Sequence, residues 1–201
     1  YYNTSGSGNI GIGFQAGYLS TATTGSNNIY IGSLALPSAT VNNEIVIGNN
    51  SVGRGQNTVA IGNSSTTNNY FYGAIEATAF NVTSDQRLKT NIAPLTNANQ
   101  LINQLLPVSY DKKINLTDSN YSVHDEFGFI AQQVQKVLPN VVSQSEGKDG
   151  LMSINYTSLI PLLTKALQEQ GQNNQKLKQQ ISQQADRIQA LEKSLEKLLA
   201  K

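Results

Sequence analysis

The sequence predicts a chain in three unlike parts: an N-terminal β-solenoid or β-roll of short repeats over residues 1–83, a small α+β globule over 84–157, and a long helix with a coiled coil over 158–201. Three observations carry this. Composition breaks near residue 83: of all the Lys, Arg, Asp and Glu residues only Glu44, Arg54 and Glu76 precede it, whereas twelve of the 16 glycines do. A short apolar unit recurs four times before the break, and a 3/4-spaced apolar seam runs to the end after it.

The repeat units are Gly8-Asn9-Ile10-Gly11-Ile12-Gly13, Asn27-Asn28-Ile29-Tyr30-Ile31-Gly32, Asn43-Glu44-Ile45-Val46-Ile47-Gly48 and Asn57-Thr58-Val59-Ala60-Ile61-Gly62, their closing glycines 19, 16 and 14 residues apart. Each offers apolar, mostly β-branched residues at i and i+2, on one face of a short strand, then a glycine that can turn the chain. One such strand cannot bury that face; stacked repeats can, with length differences placed in loops. The competing reading is a Ser/Thr/Asn/Gly-rich linker. The cadence of residues 8–62, with Phe14-Gln15-Ala16-Gly17, resembles the head repeats of trimeric bacterial adhesins and the shafts of phage tail fibres, and this resemblance implies a homotrimer. A single copy of so short a region buries little core, which agrees with a need for partners.

At the other end, Ile160, Leu163, Leu167, Leu177, Ile181, Ile188, Leu191, Leu195 and Leu198 form a heptad seam, with Ile160 at a and Leu163 at d. Gln170, Asn174 and Gln184 interrupt it with polar residues that can fix register, and Gly171 predicts a bend or break. Arg187 at g precedes Glu192 at e by the spacing that joins parallel neighbours. The seam leaves the strand number open, and a helix packed on its own domain is the alternative.

Between these ends the pattern reads as a loop from Ile92 into a short helix closed by Pro107, a strand over 108–114, a second strand over 127–130 and a helix over 131–138 stopped by Pro139. A turn over 147–150 and a strand over 152–156 follow. Ser158 is the expected cap of the long helix, with Pro161 tolerated in its first turn.

The chemistry-bearing segment is Thr83-Ser84-Asp85-Gln86-Arg87-Leu88-Lys89-Thr90-Asn91-Ile92. With Phe127-Gly128-Phe129-Ile130-Ala131-Gln132-Gln133-Val134 and Ile154-Asn155-Tyr156-Thr157-Ser158-Leu159-Ile160, it resembles, in order and spacing, the intramolecular chaperone domain of phage tail spikes and fibres. This is the S74 peptidase family, which includes the autoproteolytic domain of myelin regulatory factor. The resemblance covers about residues 80–170. It implies a domain that trimerises, helps fold the β-rich fibre before it, and then cuts itself free. It also implies Ser84 as nucleophile, Lys89 as base and cleavage between Thr83 and Ser84, a single-turnover serine endopeptidase with a Ser-Lys dyad.

The residues themselves set conditions on that chemistry. A serine hydroxyl needs a base, and a lysine serves near neutral pH only when substantially desolvated. Leu88 and Ile92 are candidates for apolar cover. The segment must turn back for Ser84 and Lys89 to meet, because six extended residues span up to about 20 Å. The same letters also suit a plain helix start, with Ser84 as N-cap and Asp85 paired to Lys89 at i,i+4. Arg87 reads equally as a clamp on a neighbouring chain or as a solvated side chain. His124-Asp125-Glu126 is read as a solvated loop, since one histidine without a second histidine or cysteine makes a poor metal site.

Composition narrows the function. The net charge of +1 supplies no strong field for nucleic acid, and the chain has no cysteine for disulfides, zinc or thiol chemistry. No apolar run is long enough for membrane insertion and no leader opens the sequence, which begins at Tyr1 and has Met152 as its one methionine, so it reads as a piece of something longer. No cofactor and no metal are expected. Glu44 and Glu76 form no recognisable glycosidase pair.

The expected setting is a virion tail fibre or spike assembled in the host cytoplasm. Its partners would be two further copies, upstream fibre parts and a host-cell surface receptor, a glycan or a protein, and the released chaperone fragment would be absent from the mature fibre. The alternative is an uncleaved fibre tip or adhesin that retains the domain as a trimeric cap. A transcription factor resembling myelin regulatory factor lacks a basic DNA-binding domain.

Overall fold

The computed structural model describes residues 5–18, 24–121, 123–147 and 149–200. The chain divides into two compact units, Tyr1–Val82 and Thr83–Lys201.

In the first unit each repeat supplies one three-residue strand: β1 (Ile10–Ile12), β2 (Ile29–Ile31), β3 (Ile45–Ile47) and β4 (Val59–Ile61). They pair in parallel in sequence order, with Ile10 beside Ile29, Ile29 beside Ile45 and Ile45 beside Val59, so the 19-, 16- and 14-residue repeat spacings become the register of the ladder. The glycine closing each strand takes a positive φ, as do Gly8, Asn27, Asn43 and Asn57 at the start of each unit, conformations open to glycine and tolerated by asparagine. Asn28 Oδ1 accepts from the Glu44 N–H at 2.8 Å while its amide donates to the Val41 carbonyl, which ties adjacent turns together.

The faces differ from the sequence expectation. Tyr30 and Val46, the middle residues of their strands, enter the core with Ala16 and Ala35, whereas the isoleucine pairs face the other way. Successive side chains of a strand point to opposite faces, so a turn that encloses the middle residue turns its two neighbours outward. Ile10, Ile12, Val59 and Ile61 are exposed, and the pairs of β2 and β3 are half-buried.

The polar centre of this unit is Glu44, fully buried without an ion pair among the described residues. Its carboxylate accepts from Ser38 Oγ at 2.8 Å, Gly55 N at 2.9 Å, Tyr30 Oη at 3.2 Å and Ser38 N at 3.3 Å. Four donors meet the requirement that a buried carboxylate be hydrogen-bonded, and they bind the 37–41 and 53–55 loops to the ladder. Gly53 lies against this carboxylate so closely that a β-carbon would collide with it.

In the second unit α1 (Ala98–Ile102) leads to the antiparallel pair β5 (Val108–Lys112) and β6 (Val123–Gly128), then α2 (Ala131–Val137). The hairpin strands β7 (Val142–Gln144) and β8 (Met152–Ile154) follow, then α3 (Leu159–Leu199). Small sheets and one 41-residue helix therefore replace any single large sheet. The second strand starts four residues before the expected 127–130, and β7 was not anticipated. The expected 147–150 turn is closed by a hydrogen bond from Gly150 N to the Gly147 carbonyl; Lys148 within it lies outside the described residues.

Along α3, Leu159, Leu162 and Ala166 are buried, the latter two against Ala98 of α1, with Leu101 and Ile102 beside them. Glu169, on the same stripe, accepts from Asn99 N at 3.0 Å and Ala98 N at 3.4 Å, satisfying orphan donors at the start of α1. The heptad residues Ile160 through Leu198 stay exposed on an adjacent stripe. Two expectations fail here. Ser158 holds the cap position of α3 but makes no side-chain bond there; Asn155 caps the 3-10 turn Tyr156–Ser158 that leads into the helix, accepting from Thr157 Oγ1 and Ser158 N. Gly171 does not break the helix, because its local cost of about 1 kcal/mol is small against the ladder on both sides.

Two outcomes follow from this packing. Gly53→Ala should lower stability by about 1–3 kcal/mol through overpacking against Glu44, seen as lost amide protection in β3 and β4 with α3 unaffected. Gly171→Ala, where a β-carbon meets open space, should stabilise α3 by about 1 kcal/mol, raising its helical melting temperature.

Candidate functional site

The segment after Thr83 folds back through a 3-10 turn over Gln86–Leu88. Asp85, not Ser84, caps this turn: its Oδ1 accepts from the Arg87 N–H at 2.9 Å. The turn brings Lys89 Nζ to 2.6 Å from Ser84 Oγ, the amine donating. Ser84 and Lys89 are thus adjacent, at the residue that follows the Thr83–Ser84 bond. An open depression of about 400 Å³ lined by Thr83, Asp85, Arg87 and Leu88 lies beside that bond.

The charges around the pair are partitioned. Arg87 Nη2 donates to Asp85 Oδ2 at 2.7 Å and its Nε to Oδ1 at 3.0 Å, a two-pronged grip within one chain. The expected i,i+4 pair of Asp85 with Lys89 does not form. The Arg87 side chain, then its backbone N–H, holds the Asp85 carboxyl below its ordinary range. Neither expected hydrophobic cover is in place: Leu88 is 72% and Ile92 67% exposed.

Phe127–Val134 and Ile154–Ile160 meet at Tyr156. Its hydroxyl accepts from the Phe129 N–H at 3.1 Å, and its ring stacks on Phe129 with centroids 6.1 Å apart. Gly128 leaves room for this, since a β-carbon there would stand 2.7 Å from Tyr156 Oη and 2.9 Å from Tyr110 Oη. Burial, then the neighbouring Tyr156 and Glu126, push the Tyr110 phenol up. Tyr110, Phe129, Ile130, Met152, Ile154 and Tyr156 border a cavity of about 410 Å³.

His124 lies on β6, not in a loop, with Nδ1 3.2 Å from Asp111 Oδ2, while Asp125 N donates to Asp111 Oδ1. The Asp125 N–H, then His124, lower the Asp111 carboxyl. Among the described residues no group of three His, Cys, Asp or Glu side chains gathers around a metal-sized space, and no helix is long and apolar enough to cross a membrane. The hydrogen-bonding roles of Glu44, Asn155 and Glu169 escaped the sequence reading. Each works through contacts with residues that only the folded chain brings near.

Residues 84–143 match the Peptidase S74 family, described as chaperone of endosialidase. The match opens on Ser84 and takes in the Phe127–Val134 segment, but ends before Ile154. The chain is similar to the Long tail fiber protein Gp37 of Enterobacteria phage K3, 33% identical over 100 residues, 49% of this chain and 8% of that protein. Against its counterpart in Salmonella phage S16 it is 30% identical over 124 residues, 60% of this chain and 16% of the relative. With that of Enterobacteria phage M1 it shares 36% over 100 residues, 48% of this chain and 39% of the relative. The chain therefore spans well under half the length of these relatives. The stretch that begins at the Ser84–Lys89 turn and continues through the Phe127–Val134 strand and helix is thus the part of the chain similar to the chaperone of endosialidase.

Proposed function

We propose that this chain is part of a phage tail fibre whose residues 84–157, followed by the helix of 158–201, form an intramolecular chaperone. It drives homotrimerisation and folding of the β-solenoid repeats of residues 1–83, then releases itself by cutting between Thr83 and Ser84. The observation that carries this reading is the 2.6 Å approach of Lys89 Nζ to Ser84 Oγ at the start of the family segment. In the first step the Ser84 Oγ–H proton passes to the neutral Lys89 amine as Oγ bonds to the Thr83 carbonyl carbon. The Thr83 C–N bond then breaks, the Ser84 nitrogen takes a proton, and an ester remains. Water hydrolyses that ester, giving a Thr83 carboxylate and restoring the Ser84 hydroxyl.

Assembly of three copies is supported by the apolar surface that one copy leaves open. The isoleucine pairs of the ladder, the heptad stripe of α3, and Tyr70, Phe71, Tyr72 and Phe80 between the ladder and the scissile bond are all wholly or partly exposed. Exposed apolar area on this scale marks protein interaction. Neighbouring copies would also supply the desolvation that a lysine base requires and that Leu88 and Ile92 do not give within one chain. The fibre would belong to the virion tail, be assembled in the host cytoplasm, join upstream fibre parts and reach a host-cell surface receptor. The domain retained uncut as a cap is the second reading, favoured by the exposure of Ser84 and Lys89.

Intact mass under denaturing conditions tests the first reading: the native sequence should yield fragments 1–83 and 84–201, whereas Ser84→Ala and Lys89→Ala should each leave one uncut chain. An uncut native trimer would establish the cap instead. Ile188→Asp with Leu191→Asp should lower the sedimentation-equilibrium mass of the uncut Ser84→Ala chain from three copies towards one, because buried unpaired carboxylates oppose the seam.

A further inference from the structure

We infer that Arg87 is a positioning residue for the Ser84–Lys89 pair, which acts by occupying both oxygens of Asp85 and so withholding that carboxylate from the Lys89 amine. The inference rests on the cleavage reading. Its basis is the competition built into five residues. Asp85 and Lys89 stand four apart, the spacing at which a carboxylate and an ammonium pair on a helical turn. Such a pair would hold the amine in its charged form, which cannot accept the Ser84 proton, and would draw it from Ser84. Arg87 stands between them in sequence. It takes Asp85 Oδ1 through Nε and Oδ2 through Nη2, at 3.0 and 2.7 Å, while Lys89 Nζ reaches Ser84 Oγ instead.

The chemistry favours arginine for this task. Its planar guanidinium matches both oxygens of a carboxylate and stays charged across the whole range in which a lysine amine titrates. A lysine at position 87 would make a single-point contact and leave one oxygen open. Asp85 also caps the turn by accepting the Arg87 N–H. An asparagine there keeps that acceptor and removes only the charge.

This distinction makes the test a rescue. Cleavage rates of the full chain are measured against pH at low salt for the native sequence, Arg87→Gln, Asp85→Asn and the double variant. Arg87→Gln should move the midpoint of the pH–rate profile up by about 0.3 unit, as expected for an exposed i,i+4 pair. Below the midpoint the rate should fall by about twofold, and the effect should fade near 1 M salt. Asp85→Asn, which leaves the Arg87 cation unpaired near the amine, should not raise the midpoint, and adding it to Arg87→Gln should restore the native profile. A uniform slowing with no midpoint shift, or a double variant as slow as Arg87→Gln, would overturn the proposal.

Titration of the Lys89 side chain by carbon-13 NMR in an uncut Ser84→Ala background reads the same partition without cleavage. The Lys89 midpoint should rise with Arg87→Gln and return in the double variant. If it does so while no Ser84-containing chain is cut, the cleavage reading fails and the charge partition stands. If the native chain is cut but neither midpoint responds to Arg87→Gln, the cleavage reading stands and Arg87 has no such role.

Discussion

Leu162 and Ala166 pack on α1, while Leu163 and Leu167, one residue further around the same helix, face outward. The same division occurs in the ladder, where Tyr30 and Val46 are enclosed and the isoleucines beside them are not. α3 and the two middle strands of the ladder thus each have one face closed by their own chain and another left open. A small chain that closes only part of its apolar surface has little enclosed core to offset the conformational entropy of ordering it. The uncovered faces therefore bear on stability as much as on association.

This constraint extends to the chemistry. The turn that joins Ser84 to Lys89 is made locally, by an aspartate cap and an arginine two residues on, and needs nothing from the rest of the molecule. The dielectric that such a pair needs is another matter. A solvated amine and hydroxyl can touch without reacting, because the proton transfer is unfavourable until water is excluded. On the proposed reading, geometry set within one chain and environment supplied by several would link the moment of cutting to the completion of assembly.

What the sequence made legible was whatever depends on spacing. Repeat glycines predicted the strands and their register because parallel pairing of successive turns converts a period into a neighbour relation. The 3/4 pattern predicted the long helix for the same reason. What it hid was direction and partnership. The isoleucine pairs were expected to form the covered face, yet alternation in a three-residue strand offers two faces and the pattern alone does not say which one the loops enclose. Glu44 looked like a stray charge because its donors come from Tyr30, Ser38 and Gly55, and Asn155, not Ser158, makes the side-chain cap, through a 3-10 turn that periodicity does not reveal. The proximity of Ser84 and Lys89 depended on a turn whose existence could be required by the chemistry but not read from the letters.

The shrinking intervals of the ladder have a geometric consequence of their own. The intervals between successive strands shorten from 19 to 16 to 14 residues, and the middle residue is enclosed at Tyr30 and Val46 but only half-buried at Ala60. The closed interior of the ladder therefore lies at its two middle strands, with Gly11 of β1 and Ala60 of β4 open at its ends. Its rungs are thus not interchangeable: a chain slipped by one repeat would move Tyr30 to an end strand or leave its enclosed place to a smaller side chain. This difference between rungs favours one threading of the chain over its slipped alternatives.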